Sequence, residues 1–274
     1  MDNNISFGKF SDFDAGAYSS DKEERGGVAV VMQQSDTVAD DLDKTFLELR
    51  SAYKELQGGY LDAISRLVII AEYKDVNAGA HIARMSRYSA LLGEKLGLHP
   101  GEVKNLLYAA PMHDVGNIGV SDEILLKPGK LTEEEFEIMK THTTIGAKIL
   151  ARSKSEILRL AQRIAITHHE KWNGQGHPNK LSGERIPIEG RIVALADTFD
   201  ALTSQRPYKE PYPVDVACDI IKSARGQHFD PVVADAFLGN VDEFIQIKEE
   251  VAKDRNVNHH AFAVSDGIRS YNRC

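Results

Sequence analysis

The chain has 274 residues, of which 42% are hydrophobic and 27% are charged, as in ordinary globular proteins. Its formal net charge of -8 argues against a protein that binds nucleic-acid polymers, because such proteins carry an excess of Lys and Arg. No apolar run is long enough to span a membrane, no signal peptide is evident, and the two cysteines, Cys218 and Cys274, argue against a disulfide framework, so we expect a cytoplasmic protein.

The N-terminal part predicts an arm followed by a helix. Residues 1–35 mix Gly, Ser, Asp and Lys around one β-prone run, 28–32. Gly58 and Gly59 are expected to bend the helix that follows. Two interpretations of this helix stay open from its heptad pattern alone. It packs on its own domain, or its residues 40–57 join two protomers in a homodimer. The pattern is a heptad seam with apolar side chains at alternating steps of four and three: Leu42, Phe46, Leu49, Tyr53 and Leu56.

The remaining segments predict a succession of helices. Thr132 to Glu135 form a capping box, and Pro100 suits the first turn of a helix. Because no stretch alternates between polar and apolar residues for long, the sequence predicts an all-α protein. The predicted helices after the first are Tyr60–Glu72, Gly79–Leu96, Pro100–Met112, one from Thr132 that carries His142, 157–166, Glu189–Leu202, Pro213–Ala224 and Pro231–Leu238.

Histidine and aspartate residues recur at the ends of these helices. No cysteine joins them, and mixed imidazole and carboxylate ligands favour first-row divalent transition metals over a structural zinc site. The set is too large for one tetrahedral ion but suits two, which can clamp the attacking and leaving oxygens of a phosphoryl centre. The residues are His81, His113, Asp114, His142, His168, His169 and Asp197.

These residues lie in motifs that resemble the HD-GYP subfamily of bacterial cyclic di-GMP phosphodiesterases, part of the HD superfamily of metal-dependent phosphohydrolases. The motifs begin with GAHIARMSRY at 79–88, HDVGNIGV at 113–120 and ILLKPGKLT at 124–132. They continue with HTTIG at 142–146, HHEKWNGQGHP at 168–178 and DTFDALTSQRPY at 197–208. The resemblance runs from about residue 60 to about residue 240.

The resemblance implies an HD-domain helical bundle with an N-terminal helix and a small N-terminal arm or module. Residues 1–58 would form the arm and linker helix, 59–248 the catalytic domain and 249–274 a C-terminal tail. The expected reaction is hydrolysis of a cyclic dinucleotide, with cyclic di-GMP as the expected substrate, through attack by a metal-bridging hydroxide. A signalling protein is a further expected partner.

The resemblance also implies roles for individual residues. The histidines and aspartates named above would hold two divalent transition metal ions, iron or manganese first, with zinc or nickel as alternatives. Asp114 would bridge the ions and form the catalytic centre with His113. Arg206 would clamp a substrate phosphate, Asp200 would line the substrate pocket or orient a ligand, and Glu170 would orient a metal-bound histidine.

Three positions depart from the family pattern. Asn117 stands where the family usually has a Lys that touches the substrate phosphate, and losing that cation removes about 1.5–3 kcal/mol of binding. His177 replaces the Tyr of Gly-Tyr-Pro, where it would donate to the substrate, and Asn77 replaces a Glu that helps to hold a third metal, so two metals are expected. Two alternatives therefore stay open: a site that binds a nucleotide or partner without turnover, and a phosphohydrolase for another phosphoester.

Overall fold

The computed structural model describes residues 22–71, 78–205 and 210–254. Contacts divide these residues into two units, one up to Tyr60 and one from Leu61 onward. Ten α-helices and three short 3₁₀ helices account for the regular structure of the described residues, which contain no β-strand. The all-α prediction is confirmed. Within the same residues, no helix is both long enough and apolar enough to cross a membrane.

The helices follow the predicted order along the chain. Several ends are set by local chemistry: the Thr132 hydroxyl accepts from the Glu135 amide at 3.2 Å, and the Glu135 carboxylate accepts from the Thr132 amide at 2.7 Å. Residues Ala110–Met112, Val115–Gly119 and Gly183–Arg185 form the 3₁₀ helices. The α-helices are α1 (Lys22–Ala71), α2 (Ala78–Lys95), α3 (Pro100–Ala109), α4 (Asp122–Leu125), α5 (Glu133–Ile149), α6 (Glu156–Thr167), α7 (Ile188–Thr203), α8 (Val214–Ser223), α9 (Pro231–Leu238) and α10 (Val241–Lys253).

Helix α1 extends further than the sequence indicated. It begins at Lys22, so residues 22–35 are helical and the β-prone run 28–32 lies inside the helix. It also continues through Gly58 and Gly59 without interruption. Each glycine costs about 1 kcal/mol in a helix interior, which a helix of 50 residues can absorb. The rest of the predicted arm, residues 1–21, lies outside the described residues.

The heptad seam of α1 is exposed along its whole length. Leu42, Phe46, Leu49, Tyr53 and Leu56 are between 63% and 72% exposed. Large apolar side chains in such a continuous row are uncommon on the surface of a monomer.

Helices α2 and α7 form the centre of the second unit. The apolar faces of both are fully buried, including Ile82 and Met85 on α2 and Leu195 on α7. Phe199 of α7 lies within aromatic contact of Tyr88, at 5.5 Å between ring centroids, and of Phe237, at 4.9 Å. Burying each of these side chains stabilises the fold by about 1.5–3 kcal/mol. This core fixes the segments of α2 and α7 that carry His81 and Asp197.

Two glycines bring the chain after Asp114 against α5. A Cβ atom on Gly116 would lie 1.9 Å from the carbonyl oxygen of His142 and 2.6 Å from the amide nitrogen of Gly146. Both distances are shorter than any real contact, so only glycine lets the 3₁₀ helix Val115–Gly119 approach this closely. The contact holds Asp114 beside His142.

We expect Gly116→Ala to lower the free energy of unfolding by about 3 kcal/mol, because the added methyl group meets backbone that cannot move aside. Urea unfolding followed by circular dichroism measures the change. Gly58→Ala is the matched control, since a Cβ there has no neighbour within 4 Å in the described residues and the substitution should be neutral or stabilising. Equal stability of the two variants would contradict the role of Gly116.

Candidate metal centre

The structure brings the predicted histidines and aspartates together as two groups, although His142 and Asp197 lie within α5 and α7 and not at helix ends as expected. Within each group, the ligand atoms all lie within 4.8 Å of one another. The first, called here the four-residue group, is Asp114, His142, His168 and His169. The second, the three-residue group, is His81, His113 and Asp197.

Backbone carbonyls orient three of the histidines. Nδ1 of His142 lies 2.7 Å from the carbonyl oxygen of Met139, and Nδ1 of His113 lies 3.0 Å from that of Ala110. Nδ1 of His168 contacts the carbonyl oxygen of Ala165 at 3.1 Å. A carbonyl can only accept a hydrogen bond, so Nδ1 carries the proton and Nε2 keeps a free lone pair. Each ring thus turns the atom that can bind a metal toward the cluster.

The carboxylate of Asp114 faces both groups. Its Oδ1 lies 3.4 Å from Nε2 of His142 and 3.4 Å from Nε2 of His168, and its Oδ2 lies 3.8 Å from Nε2 of His113. Two ligands that share a tetrahedral ion at about 2.05 Å stand about 3.3 Å apart. The spacing in the four-residue group therefore fits a common divalent ion.

Unsatisfied polar atoms support the same interpretation. Among the described residues, Nε2 of His113 and Oδ1 of Asp114 are buried without a hydrogen-bond partner. Buried polar groups in native proteins are normally satisfied, because leaving one unpaired costs about 1–3 kcal/mol. A cation that accepts lone pairs from both atoms would remove this cost.

The charges of the cluster favour metal binding. Burial alone would raise the pKa of Asp114, but the neighbouring imidazoles of His113, His168 and His142 hold it well below its usual range. Burial lowers the pKa of His113, His142 and His169, which keeps these rings neutral. Burial also disfavours a charged His168, yet the Asp114 carboxylate raises the pKa of that ring. An ionised carboxylate among largely neutral imidazoles is the state that binds a divalent ion.

Glu170 holds a loop and not a histidine. Its buried carboxylate accepts hydrogen bonds from the backbone amides of Asn179 at 2.7 Å and Leu181 at 2.9 Å. The prediction that Glu170 orients a metal-bound histidine is therefore corrected. Both carboxylate oxygens fix the loop that carries residues 171–181, because a loop of this length must satisfy its amides locally.

The residues expected to contact substrate have different positions. His177 stacks on His169 with 4.9 Å between ring centroids and an interplanar angle of 28°, and burial lowers the pKa of His177 to about 4. Asn117 lies on the 3₁₀ helix that follows Asp114, where its backbone amide donates to the Asp114 carbonyl at 2.9 Å. Arg206 and Asn77 lie outside the described residues.

Asp200 orients a histidine of the three-residue group. It is 2% exposed, and its Oδ2 accepts a hydrogen bond from Nδ1 of His81 at 2.7 Å. Arg84, which the sequence analysis did not single out, donates to both oxygens of Asp200. An arginine three positions after His81 on a buried helix face was the signal available in the sequence. Of the two roles expected for Asp200, the hydrogen bonds match ligand orientation.

Comparison with known proteins identifies the family. A family model described as HD domain matches residues 67–233. A cyclic di-GMP phosphodiesterase of Thermotoga maritima is 43% identical over 219 residues, which are 80% of this chain and 58% of the relative. A 3'3'-cGAMP-specific phosphodiesterase 2 of Vibrio cholerae is 41% identical over 202 residues, 74% of this chain and 37% of the relative.

A solved structure agrees in fold. The crystal structure of a cyclic GMP-AMP specific phosphodiesterase of V. cholerae, V-cGAP3, matches with a TM-score of 0.50 and 18% identity. The match covers 74% of this chain and 52% of that chain. At this identity the likeness supports the helical fold alone.

A helical bundle in which an adjacent His-Asp pair contributes one residue to each of two ligand groups defines an HD domain. The chain belongs to the HD-domain family. Within that family it is an HD-GYP protein, with Gly176-His177-Pro178 in place of Gly-Tyr-Pro, which confirms the resemblance found in the sequence. The chain spans about half the length of the curated relatives that it matches.

Proposed function

We propose that the chain is a divalent-metal-dependent phosphodiesterase for a cyclic dinucleotide, with cyclic di-GMP as the first substrate. The observation that carries this proposal is the carboxylate of Asp114, which presents one oxygen to each of the two ligand groups. The relatives named above as phosphodiesterases for cyclic di-GMP and 3'3'-cGAMP support this class of substrate.

The two ligand groups would hold the ions, iron or manganese first and zinc or nickel as alternatives. The four-residue and three-residue groups would take one ion each, with Asp114 shared between them. When bound, paired divalent ions activate water as a nucleophile and stabilise charge on the phosphoryl oxygens.

The chain's own residues prepare the site for this chemistry. The low pKa of Asp114 keeps its carboxylate ionised, and the carbonyl contacts of His142 and His168 hold their Nε2 atoms toward it. Glu170 fixes the loop that carries His177, so the ring of His177 remains on His169 at one side of the four-residue group. We assign substrate contacts to His177 and Asn117 in the described residues and to Arg206 outside them.

A second candidate is a receptor that binds the nucleotide and does not hydrolyse it. Asn117 favours this candidate, because a neutral amide replaces the cation that the family places beside the substrate phosphate. The metal-binding residues argue for hydrolysis, since both groups are complete in the described residues.

The deciding experiment is chromatography of cyclic di-GMP and 3'3'-cGAMP after incubation with protein loaded anaerobically with manganese or iron. We expect the unaltered chain to form product and Asp114→Ala to lose more than about 100-fold in activity. Removing a ligand that both ions share should cost more than removing a residue that only orients a ligand. Asp219→Ala on the exposed face of α8 should retain activity.

If no product forms, the binding data distinguish the two alternative functions. Tight binding of metal and nucleotide without product would replace the enzyme with the receptor. Metal binding without product or nucleotide binding would indicate a different phosphoester substrate.

We expect Asn117→Lys to raise kcat/KM by about ten- to a hundredfold, because a charge-assisted contact to the substrate phosphate is worth about 1.5–3 kcal/mol. Initial rates over a range of substrate concentrations measure the change. Asn105→Lys on α3 adds the same charge away from the ligand groups and should leave kcat/KM unaltered. A value for Asn117→Lys equal to that of Asn105→Lys would refute the assignment of Asn117.

We also propose that residues 40–57 of α1 join two copies of the chain. The exposed heptad seam supports this arrangement, because pairing two helices along it would cover side chains such as Leu49 and Leu56, which are 67% and 72% exposed.

Light scattering over a concentration series tests the dimer. The unaltered chain should have twice the mass of its sequence, and Leu49→Lys with Leu56→Lys should shift it to monomer, because the added charges cannot be buried in the seam. Leu47→Lys is the control, since Leu47 is 63% exposed but lies off the heptad seam. A strict monomer before any substitution would rule out the pairing.

A further inference from the structure

One histidine of the three-residue group, His81, is oriented by a different kind of acceptor from His113, His142 and His168. His142 and His168 in the four-residue group, and His113 in the three-residue group, donate from Nδ1 to neutral backbone carbonyls. His81 donates from Nδ1 to the carboxylate of Asp200 at 2.7 Å. An anionic acceptor makes Nε2 of the same ring a stronger metal ligand than a neutral acceptor does.

The Asp200 carboxylate is itself held on several sides. Arg84 donates to Oδ1 through Nε and to Oδ2 through Nη2, the latter at 3.0 Å. The hydroxyl of Ser204 donates to Oδ1 at 3.3 Å. Lys248 of α10 donates to the carbonyl oxygen of Thr203 at 2.5 Å, and so fixes the end of the helix that carries Asp200. These contacts leave the carboxylate little freedom to turn away from His81.

Helix geometry connects this ion pair with the three-residue group. His81 and Arg84 are three residues apart on α2, and Asp197 and Asp200 are three residues apart on α7, so each pair shares one helix face. The contact between Arg84 and Asp200 therefore ties together the two helices that supply His81 and Asp197. The hydrogen bonds of the Asp200 carboxylate go to His81, Arg84 and Ser204, none of which belongs to the four-residue group.

We propose that Asp200 and Arg84 are positioning residues that set the affinity of the three-residue group for its divalent ion and leave the four-residue group unaffected. The inference rests on the proposed function, because it takes both groups as metal sites. The two ions are then held with affinities that the chain controls separately, and Asp200 and Arg84 act on the ion of the three-residue group.

Metal titration of the unaltered full chain and of Asp200→Asn tests the inference. The probe is manganese alone, added to metal-stripped protein and followed by calorimetry. We expect two equivalents on the unaltered chain. In Asp200→Asn, one equivalent should bind as before and the other should bind about 10- to 100-fold more weakly, because the amide removes the negative charge behind His81.

Two reference variants identify the ion that is weakened. Asp197→Ala removes a ligand of the three-residue group, and His169→Ala removes one of the four-residue group. The manganese equivalent that still binds tightly in Asp200→Asn should have the same affinity as the equivalent that remains in Asp197→Ala. A match with His169→Ala would overturn the inference.

A double variant separates positioning from folding. Asp200→Asn alone removes the carboxylate that faces the buried Arg84 guanidinium, which can destabilise the protein. Asp200→Asn with Arg84→Met removes both charges, and we still expect selective weakening of one equivalent at nearly normal stability in urea unfolding. The control removes another buried pair, Arg191→Met with Asp230→Asn, whose side chains are 2.6 Å apart, and should retain both equivalents at full affinity.

The remaining outcomes are distinguishable. Two tight equivalents in Asp200→Asn, or equal weakening of both, would overturn the role of Asp200 and leave the proposed function intact. Fewer than two equivalents on the unaltered chain would instead overturn the two-metal assignment, and the inference with it.

Discussion

The structure of the candidate site depends on one partly buried carboxylate, that of Asp114, whose Oδ1 atom is fully enclosed. An ionised Asp114 inside the bundle is unfavourable unless positive charge or hydrogen-bond donors surround it. Imidazole nitrogens face both of its oxygens, one from the adjacent His113 and two from His142 and His168 on other segments, but these Nε2 atoms present lone pairs, so a bound divalent ion would supply the positive charge. That arrangement depends in turn on Gly116, since any side chain there would push Asp114 away from α5. The close backbone packing at Gly116 therefore determines where the charge of Asp114 lies.

Local chemistry explains what could be predicted from the sequence. The capping box at Thr132 and the heptad spacing in α1 involve residues within one or two helical turns, and the structure contains both features. The histidine and aspartate residues could be singled out by their type and recurrence, although His142 and Asp197 lie inside α5 and α7 and not at a helix end as predicted, and the order of the motifs along the chain gave the family. The helical state of residues 22–35 was missed, because weak propensities do not decide between a helix and an irregular arm.

Side-chain partners distant in sequence could not be predicted in the same way. Arg84 and Asp200 are 116 residues apart, and no pattern in either helix indicates that the two side chains meet. Glu170 illustrates a related limit, since the sequence places a carboxylate beside two histidines but does not fix its direction. Its oxygens accept hydrogen bonds from the loop amides of Asn179 and Leu181. Residue type gives the chemistry of a group, and tertiary packing gives its partner.

The contacts between histidine Nδ1 atoms and backbone carbonyls have a thermodynamic consequence. They fix the rings of His113, His142 and His168 as part of folding, so little conformational entropy remains to be lost when an ion arrives. Small zinc domains differ, because in those proteins the metal supplies much of the free energy of folding. Here the hydrophobic core of α2 and α7 supplies that free energy. Folding and metal loading would therefore be separate events for an ion held at this site.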